Sequence, residues 1–208
     1  LAAFAVTAVR IERVPADPNI LFPTNAQQLT RFMMEATYGP VQPLSPAWAQ
    51  RCLLDATSDS DLFGRLAYYA EARAAGQPRG AIFAARREAD GGLCGFADVG
   101  LSLWLPNDRA FRLPQDPDLK RLAATGVGTD GQRKPGVGLR AYVSNLVVDA
   151  STRRAGVGRQ LMDACEAEAC SWGAEACRIG GGSAPAVAAG TSAGVEPGCE
   201  HLWLEVTA

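Results

Sequence analysis

The stretch from Arg140 to Trp172, RAYVSNLVVDASTRRAGVGRQLMDACEAEACSW, changes its hydrophobic period in mid-course. Residues 140–149 are a Val- and Leu-rich run of strand length. Val157, Leu161, Cys165, Ala169 and Trp172 then recur at the spacing that puts them on one face of a helix over 156–172. Between the two lies a glycine turn. A chain that leaves a strand and enters an amphipathic helix this way must fold that helix back across a sheet. A further apolar run at 201–207 supplies the returning strand. The spacing predicts a βαβ unit whose two strands are parallel neighbours.

The turn itself, RRAGVG at 153–158, fits R-x-x-G-x-G, and so does RKPGVG at 133–138. With 22 glycines in 208 residues, the pattern alone separates nothing. The setting does. RKPGVG has no strand before it, a strand after it and Pro135 inside it. RRAGVG stands between a strand and a helix start, where amides without internal partners and the positive end of the helix dipole attract an anion. Glycines in such turns also serve tight packing alone, and the loop by itself leaves both readings open. A third stretch, GVGTDG at 126–131, fits the dinucleotide pattern G-x-G-x-x-G but lacks the strand and helix that give that pattern meaning.

The rest of the chain reads as a strand at 4–13, a helix from Thr24 or Asn25 to Gly39-Pro40, and helical sequence over 46–76. Strands at 80–88 and 93–105 follow, joined by an ADGG turn. Residues 105–138, rich in Pro, Gly, Asp and Lys, show no period and are expected to be a long loop or insertion. Residues 178–199 read as low-complexity linker, a second insertion. The order β-α-α-β-β-β-α-β predicts an α/β (α+β) fold in a single domain over 1–208.

The apolar share of 48% is ample for a core, and the net charge of −2 gives no electrostatic case for nucleic acid or an anionic membrane. No apolar run approaches the roughly 20 residues of a membrane span. Six cysteines without a C-x-x-C pair, and a single histidine, His201, argue against a zinc site. All six thiols are expected to be reduced, in an intracellular compartment, with Cys165 and Cys170 acting as small apolar residues of the helix. The first residue is Leu1 and the last strand ends the sequence, so both ends read as cut.

On the residues YVSNLVVDASTRRAGVGRQLMDACEAEACSWGAE, followed by LWLEV, the chain resembles the GNAT superfamily of acetyl-coenzyme A-dependent N-acetyltransferases. LWLEV is similar to the next strand of RimI-type enzymes, which acetylate protein N-termini. The loops and the Ala/Gly-rich insertions are similar to those of plastid members. The resemblance implies a GNAT-type mixed, twisted sheet with helices on both faces and acetyl-CoA as cosubstrate, without a metal. It implies that the backbone of Leu146, Val147 and Val148 binds the pantetheine arm between splayed parallel strands. The amides of Arg154, Ala155, Gly156, Val157, Gly158 and Arg159 then hold the pyrophosphate, with Arg153 opening the motif. It also implies that Glu205 is the general base. The family's general-acid tyrosine and last two strands have no counterpart up to Ala208, which implies an incomplete C-terminus. The expected reaction is acetyl transfer to a protein amine, an N-terminal α-amine before lysine. A small-molecule amine acceptor, or a non-catalytic module that binds acyl-CoA or a partner protein, stands as the alternative. The chloroplast is the expected compartment, otherwise the cytoplasm.

Overall fold

The computed structural model describes residues 8–18, 24–39, 46–172 and 203–204. The elements run β1 (Val9–Arg13), α1 (Thr24–Tyr38), α2 (Pro46–Ala74), β2 (Gly80–Arg87), β3 (Leu93–Leu105), β4 (Ala110–Arg112), α3 (Pro117–Thr125), β5 (Gly138–Val148), a 3₁₀ turn (Ala150–Thr152), α4 (Val157–Ser171) and β6 (Trp203–Leu204). The sheet order is β1-β2-β3-β5-β6, with β4 against β3. This is the mixed α/β fold expected from the sequence. β1 and β2 pair antiparallel, and β5 and β6 pair in parallel through Tyr142–Trp203 and Val143–Leu204, as the βαβ reading requires. The segment 178–199, His201 and the rest of the last strand, including Glu205, lie outside the described residues, as do residues 4–7 of the first strand.

The chain forms two compact units, one of Leu1–Asp98 with Ser144–Cys165 and one of Val99–Val143 with Glu166–Ala208. In the first, consecutive side chains of β3 point to opposite faces. Phe96 meets Phe32 of α1 edge to face, and Asp98 meets Arg65 and Tyr69 of α2. Gly95, of the other parity, lies under Val157 and Leu161 of α4. Helices therefore cover both faces of the sheet. Val157, Leu161 and Cys165 are buried, as the helical spacing predicts.

The cap of α1 is not Thr24 or Asn25. The carboxylate of Asp17 accepts from the Asn25 and Ala26 amides at 2.7 and 2.9 Å, reaching the helix start from the preceding segment. Gly39 stops the helix as expected, its N–H donating to Glu35.

In the second unit the stretch expected as a loop carries both a strand and a helix. β4 pairs with the end of β3, and Trp104, Phe111 and Tyr142 form a ring stack. α3 is capped by Asp116, whose side chain accepts from the Leu119 amide, begins at Pro117 and closes at Gly126. Its Ala123 packs with Leu101, Leu103 and Leu139, with Leu119, Leu122 and Trp172 around them. Ala169 is buried on α4, but Cys170 is exposed, against the expectation of an apolar role. The four described cysteines are free thiols. No helix among the described residues is long and apolar enough to cross a membrane.

Candidate active site

β5 brings the predicted residues to the start of α4, and it does so through an irregularity. On β3, three residues separate Cys94 from Asp98. Opposite them, four separate Ser144, which donates to the Asp98 carboxylate, from Asp149, whose amide donates to the Cys94 carbonyl. β5 therefore holds one extra residue. Asn145 lies in that interval in the left-handed region, with φ +52°. The facing of side chains agrees. Ser144 points to the α2 side, whereas Val148, of the same parity, lies 3.7 Å from where a Cβ on Gly158 of α4 would stand. An odd insertion reverses the alternation, so β5 carries a β-bulge. A bulge leaves a backbone group out of the ladder and turns the strand just ahead of Leu146, Val147 and Val148, which are half-buried.

The strand end is tied back firmly. The Asp149 side chain accepts from the Ser151 amide, and the Thr152 hydroxyl donates toward the Cys94 and Asp149 carbonyls. Arg153 folds over the strand end, its Nε donating to the Val148 carbonyl at 3.2 Å. Arg154 is left-handed with φ +66°, Ala155 donates to the Thr152 carbonyl, and Gly156 is left-handed with φ +83°. The Gly156 carbonyl accepts from Gln160, which makes Gly156 the residue flanking the helix and leaves the amides of Val157, Gly158 and Arg159 without acceptors inside α4. Successive left-handed turns beside a helix start form a concave set of N–H groups suited to an anion.

The two glycines differ in what they need. Gly156 serves the positive φ, which a branched residue avoids. Gly158 is helical, and a Cβ there would make only an ordinary contact with Val148. Neither conformation nor packing within the chain calls for a glycine at 158. What it leaves open is the approach to the first-turn amides. The side chains of Arg154 and Arg159 are exposed and make no ion pair among the described residues. Val157 is buried beneath them and anchors the helix start. These features suit a pyrophosphate held by backbone amides.

The second motif is closed upon itself. A Cβ on Gly136 would meet Pro106 at 3.1 Å, Lys134 pairs with Asp130, the Lys134 amide donates to Gly126, and Arg133 bridges to Val127. GVGTDG lies in the same knot, after a helix instead of before one.

One cluster escaped the sequence reading. Asp98 is fully buried and accepts from Arg65 Nη1 at 2.8 Å, Tyr69 Oη at 2.8 Å and Ser144 Oγ at 2.9 Å. Burial pushes the Asp98 carboxyl up, while the Arg65 cation and the three hydrogen bonds pull against it. Burial is the largest single influence on the Arg65 cation and works against it, but Asp98, Tyr69 and Asp61 together outweigh it and hold the guanidinium charged. Burial raises the Tyr69 hydroxyl well above its usual value, so it stays a donor. The visible signal was an aspartate inside the apolar strand LCGFADVGLSLWL.

A model of the acetyltransferase (GNAT) family matches residues 47–188, which is more than half of the chain. No curated protein matches. Among solved structures, an acetyltransferase from Trypanosoma brucei is 14% identical, with 96% of this chain and 84% of that one covered and a TM-score of 0.40. The glucosamine-6-phosphate N-acetyltransferase of Arabidopsis thaliana is 12% identical, with 96% and 83% covered and a TM-score of 0.41. The family match takes in both faces of the sheet and the whole of the bulged strand, its loop and α4, and on that match the chain belongs to the acetyltransferase (GNAT) family, enzymes that draw their acetyl group from acetyl-CoA.

Proposed function

We propose that this acetyltransferase acts on a protein amine, with an N-terminal α-amine preferred to lysine, in the manner of RimI-type and plastid members of its family. The observation that carries the site is the succession of bulged strand, open glycine loop and unpartnered helix start over 144–159. The likeness of LWLEV to the RimI-type strand points to the acceptor.

In this reading the backbone of Leu146, Val147 and Val148 receives the pantetheine arm as an added strand. The amides from Arg154 to Arg159 hold the pyrophosphate, and Arg153, bound to the Val148 carbonyl, fixes the end of the strand against the loop. Acetyl-CoA supplies the acyl group as a thioester. An N–H freed from the ladder at the bulge steadies the negative charge that develops on the thioester oxygen during attack. The amine attacks only when neutral. That favours an α-amine, with a reference pKa of about 7.7–8.0, over lysine at about 10.4. Glu205 takes the proton, directly or through water.

The test is an acceptor screen with acetyl-CoA. It compares a peptide with a free N-terminus, the same peptide blocked at its N-terminus but carrying one lysine, a polyamine and an amino sugar. Turnover with the free N-terminus should exceed the others. Preference for the polyamine or sugar would move the acceptor to the small-molecule class. Glu205→Gln should keep acetyl-CoA affinity and lower turnover by about 10²–10⁴, with partial recovery as pH rises and more amine is neutral. Parent-like turnover at neutral pH would remove Glu205 from the mechanism.

A further inference from the structure

We propose that Arg65, Tyr69, Asp98 and Ser144 form a buried clamp whose task is to aim the backbone amides of the β5 bulge at the acyl group. They are positioning residues, acting through the strand. The inference rests on the reading that β5 carries the thioester.

The argument starts from Ser144, the residue next to the left-handed Asn145. A non-glycine residue keeps such a conformation only where its surroundings over-determine it. Here the surroundings are polar. The Ser144 hydroxyl donates to Asp98 at 2.9 Å and stands 3.3 Å from Arg65 Nη1. Asp98 is in turn fixed by Arg65 and by Tyr69, which reach it from one turn and the next of α2. Tyr69 reaches that depth only because residue 80 is a glycine. A Cβ there would collide with the tyrosine ring. Asp61, four residues before Arg65, holds the guanidinium from its other side at 2.8 Å. One hydroxyl of β5 is thereby referenced to a rigid helix through a fully buried carboxylate.

Stability alone gives little reason for this arrangement. Apolar residues of similar size commonly stabilise a core as well as a buried ion pair does. What ions and directed hydrogen bonds add is a defined geometry, and the backbone they define belongs to the bulge. Oxyanion stabilisation depends on donors already aimed before reaction. A strand free to slip by one residue would erase the bulge and return its amide to the ladder.

The test needs no acceptor. Acetyl-CoA carrying ¹³C at its acetyl carbonyl is bound to the full chain, and the thioester C=O stretch is read by isotope-edited infrared spectroscopy. Kd is measured by calorimetry and folding by circular dichroism. The parent should shift the stretch to lower frequency on binding. Ser144→Ala and Asp98→Asn should lose most of that shift while Kd stays within about threefold, because the pyrophosphate loop is untouched. Ser144→Thr should restore it. Ser144→Ala is the safer variant if Asp98→Asn fails to fold. An undiminished shift in folded Ser144→Ala overturns the clamp. No shift in the parent overturns both the clamp and the reading it rests on, and a Gly158→Val control that keeps its affinity points the same way.

Discussion

RRAGVG and RKPGVG share a pattern, a length and four of six residues, yet one ends at a helix and the other at a strand. In RRAGVG, the backbone curls left-handed at Arg154 and Gly156, and the space beside Gly158 is empty but for one ordinary contact. In RKPGVG, the glycine at 136 closes a turn against Pro106, and the flanking residues spend their hydrogen bonds on Asp130, Gly126 and Val127. A glycine pattern thus acquires a binding role only where the amides it uncovers have nothing else to bind.

The comparison breaks most visibly at Gly156. A valine there is forced into a conformation that branched residues avoid, and it crowds the amides as well. Affinity for acetyl-CoA should fall about 100-fold, equivalent to ~2.8 kcal/mol, in a calorimetric titration. Gly136→Val should cost melting temperature through strain and the Pro106 contact, yet leave affinity alone. Equal losses of affinity at both positions would mean that the two loops are not distinguished as argued.

The next effect comes from beneath the loop. A Cβ on Gly95 would stand 3.0 Å from the Val147 carbonyl and 3.2–3.3 Å from Leu161 and Val157. Gly95→Ala should destabilise the protein by about 1–3 kcal/mol in thermal unfolding. It should also weaken acetyl-CoA, because α4 must lift from the sheet and carry the loop with it. Lost stability with unchanged affinity would show that the loop does not depend on the seating of α4.

The smallest effect belongs to the closed motif. Lys134 and, after it, the Gln132 amide hold the exposed Asp130 carboxyl below its ordinary value. A carboxyl lowered in the folded state contributes stability above its ordinary value and loses it as pH falls through the lowered one. Acidification below the usual carboxylate range should therefore lower the protection of the amides at 130–134, measured against the intrinsic exchange rate at each pH, with little change at 154–159. Lys134→Ala should move the melting temperature by no more than about 2 °C. Matching acid sensitivity in both loops would contradict the division of roles.

The readable parts of this molecule were those written in local period and local order. The helix face from Val157 to Ala169 and the β2–β3 hairpin follow from spacing along a short stretch, and the parallel pairing of β5 with β6 follows from the order strand, helix, strand. α3 was obscured because its apolar stripe is only Leu119, Leu122 and Ala123, set among prolines and glycines. The signals that mark it are its ends, Asp116-Pro117 and Gly126. The Asp17 cap and the Asp98 cluster were hidden for another reason. Their partners stand 8 and 9 residues away in one case and 29 to 46 in the other, and no periodicity reports a contact of that kind. The bulge at Asn145 was equally silent, since SNLVVD reads as ordinary strand.

The most direct measurement pairs the last glycine of each motif. Neither Gly158 nor Gly138 has positive φ, and a Cβ at either meets at most an ordinary contact. Valine at each should therefore be tolerated by the fold to a similar degree. Titrated with acetyl-CoA in a calorimeter, Gly158→Val should lose most of its binding and Gly138→Val should match the parent. Parent-like affinity in Gly158→Val, with the protein folded, would contradict the assignment of the coenzyme to the start of α4.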